Sequence, residues 1–237
     1  MESSESTSNT EQTPSSQIAF NDRVSAAKIL ANLLENTVKK ITNHKDEVLV
    51  LGIPRGGVIV ADIVASKLDY DFDVVFPRKI SSIGNKVNTI GAVMSDGTTY
   101  FDESLIESLK IPQEFIKKEK FIQLQEISLR KDLYRSNKSS EDYGIQDKVV
   151  ILVDDRIATG STALAAARWI RKQNPKHLII ASPVSQIHSI NILKQEADTI
   201  VIVSTLTNNV AVGQIYKTIE QELEDQVVEV LKRRKLI

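Results

Sequence analysis

Apolar positions along this chain alternate between two periods. Val24, Ala27, Leu30, Leu33, Leu34, Val38 and Ile41 recur at helical spacing behind Asn21-Asp22, a pair suited to cap a helix. Residues 47–53 form a short apolar run instead, as expected of a strand buried on both faces. Pro54-Arg55-Gly56-Gly57 closes that run as a turn, and 58–68 returns to helical length and spacing despite its β-branched residues. A second strand is predicted at 72–76, ending at Pro77-Arg78-Lys79, with a polar, mobile loop over 81–89. Residues 90–94 and 98–101 flank Ser95-Asp96-Gly97 and read as a β-hairpin. From 102 to 135 the pattern is helical, restarted at Pro112, and 136–146 is a polar linker. Strands at 149–153, 178–183 and 199–204 then alternate with helices at 161–173 and 187–196. An irregular stretch, 205–213, precedes a terminal helix carrying Ile219, Leu223, Val227, Val228 and Leu231. Strands separated by crossover helices predict an α/β fold, a mostly parallel central sheet with helices on both faces.

Composition narrows the class. The chain has 237 residues, 41% of them hydrophobic and 26% charged, enough for one sizeable α/β domain with a small appendage. Residues 1–17 are rich in Ser, Thr, Glu and Gln and nearly devoid of apolar side chains, which predicts a disordered tail and no signal peptide. A net charge of −1 argues against general nucleic-acid affinity, which needs a basic face. The absence of cysteine removes disulfides and thiolate metal sites and favours a cytoplasmic protein. No apolar run reaches the length of a membrane span.

The densest chemistry lies where the strand 149–153 runs into Asp154-Asp155-Arg156-Ile157-Ala158-Thr159-Gly160-Ser161-Thr162 and then into a helix. Two adjacent carboxylates can accept hydrogen bonds from two vicinal ribose hydroxyls. The hydroxyl-rich turn offers side chains and backbone N–H groups to a phosphate at the positive end of a helix. Helix capping and a solvated acid are the plain alternative. A magnesium site of a nucleotide hydrolase is another, but neither a Gly-x-x-x-x-Gly-Lys-Ser/Thr loop nor a Gly-x-Gly-x-x-Gly fingerprint accompanies the acids.

The run 149–161 resembles the 5-phosphoribosyl 1-pyrophosphate (PRPP) signature of type I phosphoribosyltransferases. Leu51-Gly-Ile-Pro-Arg-Gly-Gly-Val58 is similar to that family's first loop. Arg78-Lys79-Ile80, Ile90-Gly-Ala-Val93, Leu133-Tyr-Arg135 and Val212-Gly213 resemble a poorly characterised branch, the predicted phosphoribosyltransferases. The resemblance covers about residues 22–216. It implies a phosphoribosyltransferase domain over 18–216, with a small hood from the N-terminal helix and about 205–216, a long helical insertion, and a C-terminal helix over 217–237. It further implies transfer of a phosphoribosyl group from PRPP to a nitrogenous, nucleobase-like acceptor, with pyrophosphate released. On that reading Asp154 and Asp155 are the catalytic pair. Ala158, Thr159, Gly160, Ser161 and Thr162 bind the 5-phosphate, while Arg55, Gly56, Gly57, Arg78 and Lys79 receive pyrophosphate. Mg²⁺ is the implied cofactor, held through substrate oxygens with Asp154 and Asp155 as candidate ligands. The implied partners are PRPP, a small-molecule acceptor and a second copy in a homodimer, with no nucleic acid and no membrane.

Other residues stay open. Residues 81–89, with Lys86, read equally as a lid or a surface loop, and Arg130 and Arg135 as phosphate ligands or charged surface. Phe115, Phe121, Ile122, Leu129 and Leu133 suggest a packing or dimer face. His44, His177 and His188 lack ligand spacing, and Lys232 to Lys235 read as cations at a helix C-terminus. Ala158 stands where 6-oxopurine enzymes carry an acid, which disfavours hypoxanthine or guanine as acceptor. Arg156, Val87 and Asn88 depart from the branch pattern and keep a rival alive, a PRPP- or nucleotide-sensing regulator without turnover. A hydrolase or phosphorylase of phosphoribosyl compounds is a further rival. Asn208, Asn209 and Tyr216 are the hood's candidate acceptor contacts.

Overall fold

The computed structural model describes residues 9–12, 20–136, 143–207, 215–218 and 223–237. In chain order its strands are β1 (Asn9–Gln12), β2 (Val48–Gly52), β3 (Asp71–Val74), β4 (Arg78–Ser82), β5 (Asn85–Val93), β6 (Thr99–Phe101), β7 (Val149–Val153), β8 (His177–Gln186) and β9 (Thr199–Leu206). The α-helices are α1 (Arg23–Lys39), α2 (Gly56–Leu68), α3 (Glu103–Ser108), α4 (Gln113–Tyr134), α5 (Ser161–Arg171), α6 (Ile187–Leu193) and α7 (Leu223–Arg233). Six strands make one parallel sheet in the order β1-β9-β8-β7-β2-β3, and β4, β5 and β6 make a separate antiparallel sheet.

The apolar runs become central strands because the pleat sends alternate side chains into two cores. Val48, Val50, Val149, Ile151, Ile179, Ala181, Val201 and Val203 face the core beneath α1 and α2. Leu49, Leu51, Val150, Leu152, Leu178, Ile180, Ile200 and Ile202 face the opposite core, with α5 and α6. With both faces covered, every position must be apolar and no alternation survives in the sequence. α2 follows the same logic: it packs between α1, the sheet and α7, so nearly all its residues are buried.

Buried charges fasten the outer elements. Asp62 of α2, only 4% exposed, accepts from Arg234 Nε at 2.8 Å and pairs with Arg233, so two of the C-terminal cations anchor α7. Arg135, just after α4, donates to Asp73 of β3 at 2.9–3.2 Å, with both residues under 3% exposed. The Tyr143 ring lies 3.9 Å from the Arg135 guanidinium. Arg135 is therefore an internal strut rather than part of a charged surface.

Several expectations change. Asn9–Gln12, inside the expected disordered tail, pairs in parallel with β9; the rest of that tail lies outside the described residues. The expected loop over 81–89 is largely strand: Ser81 pairs with Thr89 and Ser82 with Asn85 around Gly84, whose φ of +69° permits the turn. Backbone pairing holds this hairpin, so it needs no apolar alternation and leaves none to read. On α4, Ile116, Ile127 and Tyr134 are buried and Phe115 packs against the core, whereas Phe121, Ile122, Leu129 and Leu133 are exposed. Asn208, Asn209, Val212, Gly213 and Ile219 lie outside the described residues.

Candidate active site

β2 and β7 are neighbours in register, with Gly52 opposite Val153, so their C-terminal loops emerge side by side. That edge is where an open parallel sheet offers its crevice. The two loops interlock through missing side chains. A β-carbon on Gly56 would collide with the Asp155 carboxylate. One on Gly57 would stand 2.8 Å from the Val153 carbonyl oxygen and 2.9 Å from Asp154 Cα. Gly56 and Gly57 thus let the start of α2 lie directly against the acid pair.

The loop after β7 is held from below. Ile157 N–H donates to the Val184 carbonyl at 2.9 Å, Gln186 N–H donates back to Ile157 at 2.9 Å, and the Ser189 hydroxyl bonds the Ala158 carbonyl. Gly160 precedes α5 at φ +80°, a conformation other residues adopt at a cost. The Thr159 and Ser161 hydroxyls lie 3.0 Å apart across this turn. Together the loops enclose a cleft of about 380 Å³ lined by Arg55, Gly56, Lys79, Asp154, Asp155, Arg156, Ala158, Thr159, Gly160 and Thr162, among others.

The two acids are not equivalent. Burial raises the Asp154 carboxyl well above the usual carboxylate range. The neighbouring Asp155 charge and a side-chain hydrogen bond with Asp155 push the same way, and Lys79 opposes them in part. Asp155 instead has a fixed partner: Arg23 Nε donates to its Oδ2 at 2.9 Å. The Tyr216 hydroxyl donates to the Asp155 backbone carbonyl at 2.7 Å.

Most of the residues singled out from the sequence line this one cleft, with three qualifications. Ser161 is buried beneath the turn, Gly57 serves as packing under the acids, and Arg78 lines an adjoining cavity of about 640 Å³. That cavity, walled by β4 and α4, shares Pro54, Lys79 and Thr162 with the cleft. Arg78 Nε donates to Gln123 at 3.1 Å; burial and then the nearby Arg130 lower its affinity for its proton. Arg55 is exposed, 3.4 Å from Glu224 at the start of α7, and Leu223 reaches the cleft wall. Tyr216 is fully buried, so it braces Asp155 and cannot stack on a ligand.

Arg23, Leu223 and Glu224 escaped sequence reasoning. For Arg23 one signal existed: a cation in the first turn of a helix opposes the helix dipole and calls for a tertiary partner.

Comparison with known proteins gives the chain a family. A family model described as "Phosphoribosyl transferase domain" matches residues 19–216. Proteins of two Mycobacterium tuberculosis strains, each named "Putative phosphoribosyl transferase", are 30% identical over 214 residues, 90% of this chain and 46% of theirs. The chain thus spans about half the length of these relatives. The crystal structure of the protein TT1426 from Thermus thermophilus superimposes with a TM-score of 0.71 at 30% identity, covering 91% of this chain and 99% of that one. The chain belongs to the phosphoribosyl transferase family.

Proposed function

We propose that the cleft binds PRPP and transfers its phosphoribosyl group to a nitrogenous, nucleobase-like acceptor, releasing pyrophosphate. The carrying observation is the interlock of Gly56 with Asp155, which puts a sugar-reading acid pair, a phosphate-reading turn and Arg55 around one cavity. In this reading the turn 158–162 holds the 5-phosphate, with the Thr159 and Thr162 hydroxyls and the amides at the start of α5 as donors. Asp154 and Asp155 hold the ribose hydroxyls, and the Asp155 carboxylate sets negative charge beside C1, where cationic character grows as the bond to pyrophosphate lengthens. The C1–O bond breaks, the bond from C1 to the acceptor nitrogen forms, and the acceptor's proton leaves to solvent. Arg55, Lys79 and the amide of Gly56 receive the departing pyrophosphate.

Mg²⁺ fits this donor set as a shared ligand. Among the described residues no group of three or more His, Cys, Asp or Glu side chains could hold a metal alone. Two adjacent carboxyls nevertheless offer hard oxygen donors that substrate oxygens would complete. The ion's contribution is to neutralise charge on the leaving group.

Pyrophosphate release from PRPP, assayed with Mg²⁺ across a panel of nucleobases, tests the proposal. Release that depends on one acceptor is the expected result. Tight PRPP binding without release on any acceptor would instead favour a sensing regulator, a role consistent with the bulky Arg156 in the cleft wall. Turnover with water or phosphate alone would point to a hydrolase or phosphorylase.

A further inference from the structure

Arg23 is a buried cation that the transfer chemistry does not use. It is the first residue of α1, 5% exposed, and its Nε donates to Asp155 Oδ2 at 2.9 Å. Its guanidinium lies 5.2 Å from the centroid of the Tyr216 ring, and that ring's hydroxyl holds the Asp155 backbone carbonyl. Behind both, the chain on either side is zipped together. Phe20 N–H donates to the Ile215 carbonyl at 2.8 Å, Lys217 N–H to Phe20 at 2.9 Å and Thr218 N–H to Asn21 at 2.9 Å. Two segments remote in sequence, 20–23 and 215–218, therefore meet each other and close together on Asp155, one at its carboxylate and one at its backbone carbonyl.

Both ends of that brace close on Asp155, Arg23 at its carboxylate and Tyr216 at its backbone carbonyl. An aspartate side chain with two free torsions reads a hydroxyl well only when its orientation is fixed, because small displacements of a contacting group cost heavily. Arg23 engages Oδ2 and thereby sets the plane of the Asp155 carboxylate.

We propose that Arg23 is the positioning residue for sugar recognition. Through Asp155 it makes the cleft select a hydroxylated sugar phosphate over a bare phosphate or pyrophosphate. This inference rests on the phosphoribosyl reading of the same cleft and adds the residue that sets its selectivity. Arg23 touches no substrate atom and acts through the acid.

The test is calorimetric titration of the full chain with ribose 5-phosphate, inorganic phosphate and pyrophosphate, each with Mg²⁺. Arg23→Gln should weaken ribose 5-phosphate about tenfold or more, the scale of one lost hydrogen bond to a charged group, and leave the other two ligands within about twofold. Arg23→Lys, which keeps the charge and loses the fork, should fall between the two. Should Arg23→Gln fail to fold, Arg23→Lys and Tyr216→Phe carry the test, each with a smaller loss confined to the sugar phosphate. An equal loss for all three ligands would mark Arg23 as merely structural and overturn the inference, as would no loss at all. Wild-type protein that ignores ribose 5-phosphate would overturn the phosphoribosyl reading itself, and this inference with it.

Discussion

At the cleft, two adjacent acids have been given different surroundings by different parts of the chain. Asp155 lies over Gly56 with a guanidinium behind it, while Asp154 is enclosed beside Asp155 with Lys79 as its opposing charge. The folded protein therefore holds the Asp154 proton more tightly than the unfolded chain does. Ionising that carboxyl then weakens the fold as pH climbs from the ordinary aspartate range through the raised folded value. Asp154→Asn removes the cost of that charge without changing the shape of the residue. The variant should melt above wild type at about pH 8, and the gap should close as pH falls below about 3, where Asp154 is protonated in the folded and unfolded chain alike. Thermal unfolding across that pH range checks this, and a gap independent of pH would mean that Asp154 does not carry the strained charge.

The elements around the site divide into those whose signal is local and those whose signal is not. β7, the acid pair and the start of α5 are consecutive, so strand pattern, carboxylates and turn residues are all legible in one stretch of sequence. The two cores are legible as well, because a strand covered on both faces must be apolar throughout. The pairing of Arg23 with Asp155 spans 132 residues, and only the assembled sheet brings the two together. The β4–β5 hairpin is illegible because backbone pairing over polar residues leaves no periodic trace. Arg135 misleads for a related reason: next to Lys131 in a charged stretch it resembles surface, yet it closes on Asp73 in the interior. Breaking a buried ion pair from one side strands the other charge. Arg135→Ala should therefore cost about 3–5 kcal/mol in denaturant unfolding. A loss below about 1 kcal/mol would show that the end of α4 is held by something else.

Across the whole molecule, the cleft is a meeting point for both ends of the described chain. α1 supplies Arg23, the segment before α7 supplies Tyr216, and α7 itself supplies Leu223 and sets Glu224 against Arg55 while Asp62 anchors its far end. No described helix is long and apolar enough to cross a membrane. The adjoining cavity, sharing Pro54, Lys79 and Thr162 with the cleft, gives the site room beyond a sugar phosphate. Where a phosphorylated pentose settles in this landscape is observed directly in a crystal structure of the protein with ribose 5-phosphate and Mg²⁺. Its phosphate should lie in the turn at Thr159, Gly160 and Thr162, with the ring hydroxyls against Asp154 and Asp155. A sugar phosphate seated only in the cavity between β4 and α4, with the acid pair untouched, would contradict it.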